Sequence, residues 1–350
     1  MNSSTAIHLI ESFTKYIPTL CTSMHKGQAG RIAIMGGSKE YTGAPYFSGI
    51  SSLRIGSDIC HIFAPTEGGT ATAIKTLCPE LIVHPLESYD PSDIIPWLLS
   101  IHVLIIGPGL GRSASAWSCA TQVIKAARDI DLPMVLDGDA LRLICNDLDI
   151  IKNNQKVILT PNVMEFKGLS DTVKSKLNIE SSSTLSAEKL SEYLGNVTII
   201  QKGKEDIITN GKQTVVCSSD GMPRRCGGQG DLLAGAIGTM YAWACLYEKN
   251  NSHSSSSSSS INNTITTTTN NNVNNNYSST LLASFAGCTF VRRCAYNAFE
   301  KNRRSTITLD MIAEIPKTFE EIFEKPDSDK IDDAVSNISS LKIADQRSDQ

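Results

Sequence analysis

Short runs of apolar residues alternate with amphipathic segments from about residue 30 to residue 247. Apolar runs of strand length occur at residues 31–35, 59–63, 81–85, 103–106, 134–136, 157–159 and 197–201. Segments with helical periodicity lie between them, at residues 44–55, 114–128 and 187–194. Continuous apolar strands that alternate with helices are typical of a parallel sheet covered on both faces. The pattern therefore predicts an α/β fold with a mostly parallel central sheet and helices on both faces.

The end of this pattern predicts a hairpin followed by two helices. Residues 207–209 and 213–217 read as strands separated by Asn210-Gly211, a pair that favours a type I′ turn. Such a hairpin would make the sheet mixed. Helical patterns at residues 282–301 and 309–324 close the fold, with Thr308 as the predicted N-cap of the second helix.

A low-complexity segment at residues 250–280 separates these helices from the preceding one. Runs of Ser, Thr and Asn at 254–260, 266–269 and 270–272 bury too little apolar surface to offset the entropy lost on ordering. We predict one catalytic domain at residues 26–325, which this segment interrupts as a disordered insertion. An N-terminal segment (1–25) precedes this domain and a polar, flexible tail (326–350) follows it. We expect neither the insertion nor the tail to take part in the chemistry.

Composition narrows the class of partner. A chain of 350 residues with 41% hydrophobic content can bury a sizeable core. Its net charge of −4 gives no reason to expect nucleic acid or an anionic membrane as partner. The longest apolar run ends near Tyr247 and is shorter than the ~20 residues of a membrane span, so a buried helix is favoured. The sequence leaves open whether the chain forms a homo-oligomer.

The cysteines indicate a reducing compartment. All ten are scattered, without a C-x-x-C pair or a cluster at metal-ligand spacing. They are therefore interpreted as small buried apolar side chains instead of a disulfide framework. Because no targeting segment stands out in the N-terminal residues, we expect a cytoplasmic protein.

A first glycine motif, Gly107-Pro108-Gly109-Leu110-Gly111, follows the predicted strand at 103–106. In a dinucleotide-binding Rossmann unit such glycines would admit a pyrophosphate to a helix N-terminus. The spacing differs from G-x-G-x-x-G and the motif lies several units into the sheet, although Asp137 supplies an acid after the next strand. Ligand binding and a plain tight turn both remain open, and the pattern favours binding.

A second glycine motif, Cys226-Gly227-Gly228-Gln229-Gly230-Asp231, lies directly before a predicted helix at 232–247. Unpaired N–H groups and the helix dipole at such a position form a site for an anion, in particular a transferring phosphoryl group. Gly228 and Gly230 leave the backbone open to close approach. Asp231 could simply cap the helix. An acid beside an anion site can instead accept a proton from an attacking hydroxyl, and we favour that catalytic role.

Two further motifs follow predicted strands. In Thr160-Pro161-Asn162-Val163-Met164-Glu165-Phe166, Asn162 and Glu165 could form only a capping box. Alternatively, Glu165 orients a hydrated Mg²⁺, which takes one or two protein carboxylates. Lys202-Gly203-Lys204-Glu205-Asp206 brings basic side chains to the same edge, or is a solvated loop. Since open α/β sheets bind ligands at the carboxyl ends of their strands, these motifs support one another.

Taken together, the motifs resemble those of the ATP-dependent NAD(P)H-hydrate dehydratases, a branch of the ribokinase-like superfamily. The resemblance covers residues from about 25 to 324. Its most specific part is Gly36-Gly37-Ser38 with Tyr41-Thr42-Gly43-Ala44-Pro45, combined with the glycine motif that ends in Asp231. It also rests on Lys26-Gly27-Gln28-Ala29-Gly30-Arg31, residues 107–112, Asp137-Gly138-Asp139-Ala140-Leu141, residues 160–166, Gln201-Lys202-Gly203 and Arg224-Arg225.

This resemblance implies a metabolite-repair lyase (a hydro-lyase) that uses ATP and Mg²⁺. Its substrate would be the S form of hydrated NADH or NADPH, whose ring hydroxyl is phosphorylated before phosphate leaves. Asp231, Gly228 and Gly230 would be catalytic, and Glu165 would serve the metal. The hydrate would be contacted by Gly109, Asn162, Val163, Met164, Glu165, Phe166, Lys167, Gly168 and Asp231. ATP would be contacted by Lys202, Gly203, Lys204, Glu205, Asp206, Gly221, Met222, Pro223, Arg224, Arg225, Cys226, Gly227, Gly228, Gln229 and Gly230.

Three other functions compete with this interpretation. A vitamin-precursor kinase of the same fold would share the chemistry of Asp231 and differ in the loops at 36–45 and 107–112. A non-catalytic nucleotide-binding protein would not be expected to keep residues 228–231 intact. A nicotinamide-dependent dehydrogenase would need a Rossmann fingerprint in its first unit, which the sequence does not contain.

Overall fold

A nine-stranded sheet forms the centre of the protein in the computed structural model, which describes residues 3–179, 185–255 and 277–324. The strands are β1 (Arg31–Met35), β2 (Ile59–Pro65), β3 (Ile82–Leu86), β4 (Val103–Ile106), β5 (Met134–Leu136), β6 (Val157–Leu159), β7 (Thr198–Gln201), β8 (Asp206–Thr209) and β9 (Thr214–Cys217). Their order is β3-β2-β1-β4-β5-β6-β7-β8-β9. Strands β1 to β7 are parallel, and β8 and β9 are antiparallel. The predicted mostly parallel sheet is confirmed.

Helices cover both faces of this sheet. They are α1 (Ser3–Thr14), α2 (Gly43–Ile55), α3 (Thr70–Leu77), α4 (Ala114–Asp129), α5 (Asp139–Ile144), α6 (Val163–Leu177), α7 (Ala187–Tyr193), α8 (Gln229–Ser255), α9 (Ser279–Asn302), α10 (Thr308–Ala313) and α11 (Ile315–Phe319). A π-helical turn at Glu320–Glu324 ends the described chain. None of the described helices is long and apolar enough to cross a membrane.

Alternate residues of each central strand belong to two separate hydrophobic cores, one on each face of the sheet. In β1, Ile32 and Ile34 belong to the core that contains α1, α2, α8 and α9. Ala33 and Met35 belong to the core on the other face, with α4, α5, α6 and α7. Burying a large aliphatic side chain contributes about 1.5–3 kcal/mol, and both faces are supplied by the same short strands. This arrangement explains why the strands are continuously apolar.

Helices α2 and α8 pack closely because small residues line their contact. A Cβ at Gly235 would lie 2.2 Å from the Ser48 carbonyl oxygen, so glycine is required there. The Ser48 hydroxyl also donates to the Asp231 carbonyl at 2.8 Å. The small residues of the longest apolar run thus belong to a buried helix, as predicted, and they fix the turn that carries Asp231.

The N-terminal segment is part of the packed fold. Leu9 and Phe13 of α1 are fully buried in the same core as α9. The ring of Phe13 also lies 5.7 Å, between centroids, from the ring of Phe323. The expected boundary at residues 25/26 therefore does not separate α1 from the domain.

The hairpin forms, but its predicted type I′ turn is wrong. That turn needs positive φ at both central residues, Asn210 and Gly211, whereas only Gly211 has positive φ, at 77°. The Asn210 side chain instead accepts from the N–H groups of Lys212 and Gln213 at 3.1 and 2.8 Å. Local capping by Asn210 determines the turn.

The predicted N-cap role of Thr308 is also wrong. Helix α10 begins at Thr308 and Ile307 occupies the cap position. The Asp310 carboxylate accepts from the Ile307 N–H at 2.8 Å, which supplies the cap. The continuous helix expected at 309–324 is divided into α10, α11 and the π-helical turn, since Pro316 at the start of α11 cannot continue the preceding helix.

The ends of the expected insertion at 250–280 are helical. Helix α8 continues to Ser255, past the predicted end at residue 247, and α9 begins at Ser279. Residues 256–276, with most of the expected insertion, lie outside the described residues, as does the tail at 326–350.

Candidate active site

The strand ends bring the sequence motifs to one edge of the sheet. Strands β4, β5, β6 and β7 are parallel neighbours, so the loops after them share that edge. These loops contain Gly109, Asp137 and Lys202, and Glu165 lies in the first turn of α6, which follows the loop after β6. The start of α8 lies over them, because a Cβ at Gly230 would be 3.4 Å from Lys202 Nζ and 3.8 Å from Asp137 Oδ2. The edge is therefore our candidate active site.

A buried ion pair forms the floor of this site. Lys202 Nζ donates to Asp137 Oδ1 at 2.9 Å, and the Thr160 hydroxyl donates to the same oxygen at 2.5 Å. Asp137 is only 3% exposed. Burial lowers the pKa of Lys202, but the carboxylates of Asp137, Glu165 and Asp231 outweigh that effect and raise it. Lys202 is thus a firmly protonated cation among three carboxylates.

Asp231 has the properties of a proton acceptor near neutral pH. Burial and the neighbouring Asp137 carboxylate raise the pKa of Asp231 to about 7, against the opposing effect of Lys202. A general base works best when its pKa lies near the working pH. Asp231 lies in the first turn of α8, as the sequence predicts.

The glycine-rich segment at residues 226–230, which we call the anion loop, presents free backbone donors. Among the described residues, the N–H groups of Gly228, Gln229 and Gly230 make no hydrogen bond to a backbone carbonyl. Gly228 has φ +94°, a backbone conformation that is strongly disfavoured for residues other than glycine. Unpaired N–H groups at the start of the long helix α8 suit a phosphoryl group.

The raised pKa of Asp231 leads to a prediction about pH. As pH falls through about 7, Asp231 gains a proton and can no longer accept one from substrate. We therefore expect kcat/KM, which reports the free enzyme, to fall about tenfold per pH unit below that value. Initial rates between about pH 6 and 8.5 would measure it. A profile that stays flat down to pH 6 would contradict the assignment.

Asn162 and Glu165 form a capping box, which is one of the two alternatives that the sequence offers for them. The Asn162 side chain accepts from the N–H groups of Met164 and Glu165, and Glu165 accepts from the Asn162 N–H at 2.8 Å. Burial raises the pKa of Glu165, with Lys202 opposing it and Asp137 adding to it. Glu165 therefore caps α6 and also lies within electrostatic range of Lys202 and Asp137, so the structural and functional roles are compatible.

The other residues of this motif differ in accessibility. Val163 and Met164 are exposed, as are Lys167 and Gly168. The Phe166 side chain is buried in the core on the α6 face of the sheet, which leaves only its backbone for a ligand. The predicted contacts of this segment with the hydrate stay a prediction, and accessibility argues only against the Phe166 side chain.

Close packing accounts for the glycines of the first motif. A Cβ at Gly107 would lie 1.8 Å from the Asp137 carbonyl oxygen. At Gly109 it would lie 2.8 Å from Tyr41 Cβ and 2.9 Å from Ala44 Cβ. Gly107 therefore allows the loop after β4 to contact the segment after β5, and Gly109 allows it to contact the segment after β1. The predicted contact of Gly109 with substrate stays a prediction.

On the predicted ATP side, one carboxylate is engaged within the protein. Asp206 accepts from Arg292 at 2.7 and 2.8 Å and from the Gly203 N–H at 3.0 Å. This carboxylate holds the loop after β7 and is not free to bind ATP directly. Lys204, Glu205 and residues 221–225 are partly or fully accessible.

Sequence reasoning did not assign Asp137, Thr160 or Thr308 to the site. Asp137 has no site role in the sequence analysis, where it is an acid after a strand and part of a resemblance motif. Its position, next to the loops after β4 and β6, was the available signal. Thr160 follows β6 directly. The position of Thr308 depends on the packing of α10 against the anion loop, for which the sequence carries no signal.

Comparisons with known proteins agree with this geometry. The family model of the NAD(P)H-hydrate dehydratases matches residues 32–317. A Dictyostelium discoideum protein is 60% identical over 323 residues, which span 92% of this chain and 99% of the relative. A human protein is 41% identical over 312 residues, 88% of this chain and 82% of its own. Both relatives are named ATP-dependent (S)-NAD(P)H-hydrate dehydratase.

Solved structures show the same fold at low sequence identity. A ribokinase-like superfamily protein from Enterococcus faecalis has a TM-score of 0.68 at 18% identity, covering 90% of this chain and 95% of its own. The Bacillus subtilis ADP/ATP-dependent NAD(P)H-hydrate dehydratase, co-crystallized with ATP/Mg²⁺, has a TM-score of 0.59 at 18% identity, covering 89% and 97%. The predicted ribokinase-like α/β fold is confirmed.

Proposed function

The chain belongs to the NAD(P)H-hydrate dehydratase family, and we propose that Asp231 and the anion loop perform its phosphoryl-transfer step. The enzyme catalyses the ATP-dependent dehydration of (S)-NAD(P)H hydrate, a metabolite-repair reaction. One observation carries the assignment of the site. A carboxylate with its pKa near 7 lies in the first helical turn directly after three unpaired backbone N–H groups.

The reaction divides into two steps, phosphoryl transfer and elimination of phosphate. The ring hydroxyl oxygen of the hydrate attacks the γ-phosphorus of ATP, its proton moves to Asp231, and ADP leaves. The carbon–oxygen bond then breaks with help from the lone pair of the ring nitrogen. The adjacent ring carbon loses a proton to water, which restores the double bond as phosphate leaves. The N–H groups of Gly228, Gln229 and Gly230 would hold the transferring phosphoryl group, where its charge is greatest.

The residues present fit a Mg²⁺ ion that keeps several water ligands better than an ion ligated only by protein groups. No group of three or more metal-ligating side chains is found among the described residues. Mg²⁺ usually keeps several waters and binds through one or two carboxylates and substrate phosphates. Glu165, whose pKa senses Asp137 and Asp139, would hold the ion through water. The ion supplies charge neutralisation for the ATP phosphates when it is bound.

The Lys202–Asp137 pair orders the site for both substrates. Lys202 places one positive charge beside the anion loop, where the phosphate oxygens of ATP would bind. Asp137 and Thr160 prevent this ammonium group from swinging away. The exposed loops at 204–205 and 221–225 would contact ATP, and Val163 and Met164 would contact the hydrate.

The free thiols support a reducing location. All ten cysteines are free, and burial raises the pKa of several of them, among them Cys119, Cys245 and Cys294, each to about 12. We therefore propose that the protein works in the cytoplasm.

Absorbance of the reduced nicotinamide ring tests the activity and its metal requirement. We expect the band to recover when purified protein is mixed with (S)-NADPH hydrate, ATP and Mg²⁺. Recovery should be absent without ATP and should fall sharply when Mg²⁺ is chelated. ADP formation with a vitamin alcohol, but none with the hydrate, would instead identify a small-molecule kinase.

The segment at residues 256–276 should not be needed for turnover. Its Ser, Thr and Asn composition offers no chemistry that the proposed steps use. Replacing it with a short Gly/Ser linker should leave kcat within about twofold, because loop length affects stability only weakly. Rates of the replaced and full-length proteins would be compared at equal folded concentration. A tenfold loss in folded protein would assign the segment a role in catalysis.

A further inference from the structure

Helix α10 holds the anion loop through the side chain of its first residue. The Thr308 hydroxyl donates to the Gly227 carbonyl oxygen at 2.6 Å. Thr308 is 2% exposed, so water does not compete for this bond. The cap of α10 is supplied by Asp310, as described above, and the hydroxyl is thus free to act outside its own helix.

Because the peptide group is planar, the hydrogen bond from Thr308 to Gly227 also fixes the direction of the next backbone N–H group. The peptide between Gly227 and Gly228 is trans, because the described chain has no cis peptide bond. In a planar trans peptide the C=O and N–H groups point in opposite directions. Fixing the Gly227 oxygen against Thr308 therefore fixes the Gly228 N–H on the opposite side, as a donor of the anion loop.

Glycine would otherwise leave this peptide free to rotate. Gly227 and Gly228 have the widest conformational choice of all residues, and a rotated peptide would present a carbonyl oxygen to the phosphoryl group. Phe47 and Thr308 enclose Gly228, since a Cβ there would lie 2.7 Å from the Phe47 ring and 2.9 Å from Thr308 Oγ1. Packing limits the space, and the hydrogen bond selects the orientation.

We propose that Thr308 is a positioning residue that orients the Gly228 N–H toward the transferring phosphoryl group. This inference rests on the proposed function of the anion loop. Thr308 would act through the Gly227 peptide without touching substrate. Its effect should therefore appear when charge develops on the phosphoryl group, in kcat, more than in the KM for ATP or hydrate.

Three variants test this inference together with a matched control. Thr308→Val keeps the shape and removes the hydroxyl, and Thr308→Ala does so with less bulk. Thr308→Ser retains the donor. Thr306→Val is the control, because Thr306 is also fully buried and its hydroxyl donates to a carbonyl, that of Arg303, at 2.7 Å. That bond lies outside the site, so Thr306→Val should lower Tm without a specific loss of kcat.

We expect Thr308→Val and Thr308→Ala to lower kcat about 10- to 100-fold, below the loss for a whole oxyanion donor. Both KM values should change less than about threefold, and Thr308→Ser should recover kcat to within about threefold. A kcat within twofold of wild type in either folded variant that lacks the hydroxyl would overturn the inference. So would an equal loss in Thr306→Val. If Asp231→Asn abolishes turnover while Thr308→Val does not, only the positioning role fails; if neither lowers turnover, the proposed site itself fails.

Discussion

Asp231→Asn is expected to lose turnover by about 10²–10⁴-fold while the protein stays folded and binds ATP. The amide cannot accept the hydroxyl proton, so the loss should appear in kcat. The backbone of the anion loop is unchanged by this substitution, which should leave the affinity for ATP largely intact. Single-turnover rates and ATP binding would be measured on the same preparation. Near-normal turnover would leave Asp231 only a structural role at the start of α8.

The same substitution should stabilise the protein above neutral pH. Burial raises the pKa of Asp231 to about 7, whereas an exposed aspartate has a pKa of about 3.9. Between these values the folded state binds more protons than the unfolded state, so the free energy of unfolding falls as pH rises through this window. At pH 8 Asn should therefore raise the free energy of unfolding by about 1–3 kcal/mol, after allowance for partial solvent access. Equal stability at pH 8 would contradict the raised pKa.

Lys202→Met is expected to damage both stability and activity. It leaves the Asp137 side chain, 5% exposed, without its cation, and breaking a buried pair from one side costs about 3–5 kcal/mol. It also removes the positive charge beside the anion loop, so kcat should fall even in the fraction that folds. Urea unfolding and initial rates at saturating ATP would measure the two losses separately.

Two further variants separate these effects. Adding Asp137→Asn to Lys202→Met removes the uncompensated charge, and we expect it to restore most of the stability but not the turnover. Lys301→Met is the matched control, because Lys301 Nζ of α9 pairs at 2.6 Å with the buried Glu314, which lies between α10 and α11 outside the site. It should lower stability with kcat unchanged. If the double variant recovers full turnover, Lys202 has only a structural role.

The strands and the glycine motifs could be predicted from the sequence because each depends on local pattern. β1, β4, β5 and β6 have the predicted bounds, since continuous apolar runs are buried on both sides. The capping box at Asn162 and Glu165 was recognised from spacing alone. The location of the site could also be predicted from the sequence, because the carboxyl ends of parallel strands share one edge of the sheet.

What could not be predicted depends on contacts between distant segments. Thr308 is a residue type that is common at N-caps, yet its hydroxyl donates a hydrogen bond to the carbonyl oxygen of Gly227, 81 positions away in the chain. Asp206 looks like an accessible loop acid until Arg292 of α9 is placed against it. Gly109 reads as a ligand glycine, and only the packing of Tyr41 and Ala44 shows why a side chain is excluded.

A crystal structure with Mg²⁺, a non-hydrolysable ATP analogue and NADPH would test the central assignment most directly. We predict that γ-phosphate oxygens accept from the N–H groups of Gly228, Gln229 and Gly230 at about 2.7–3.1 Å. The Asp231 carboxylate should lie within about 3.2 Å of the position that the substrate hydroxyl would occupy on the nicotinamide ring. A γ-phosphate bound away from the anion loop, or an Asp231 carboxylate turned from the ring, would contradict the account.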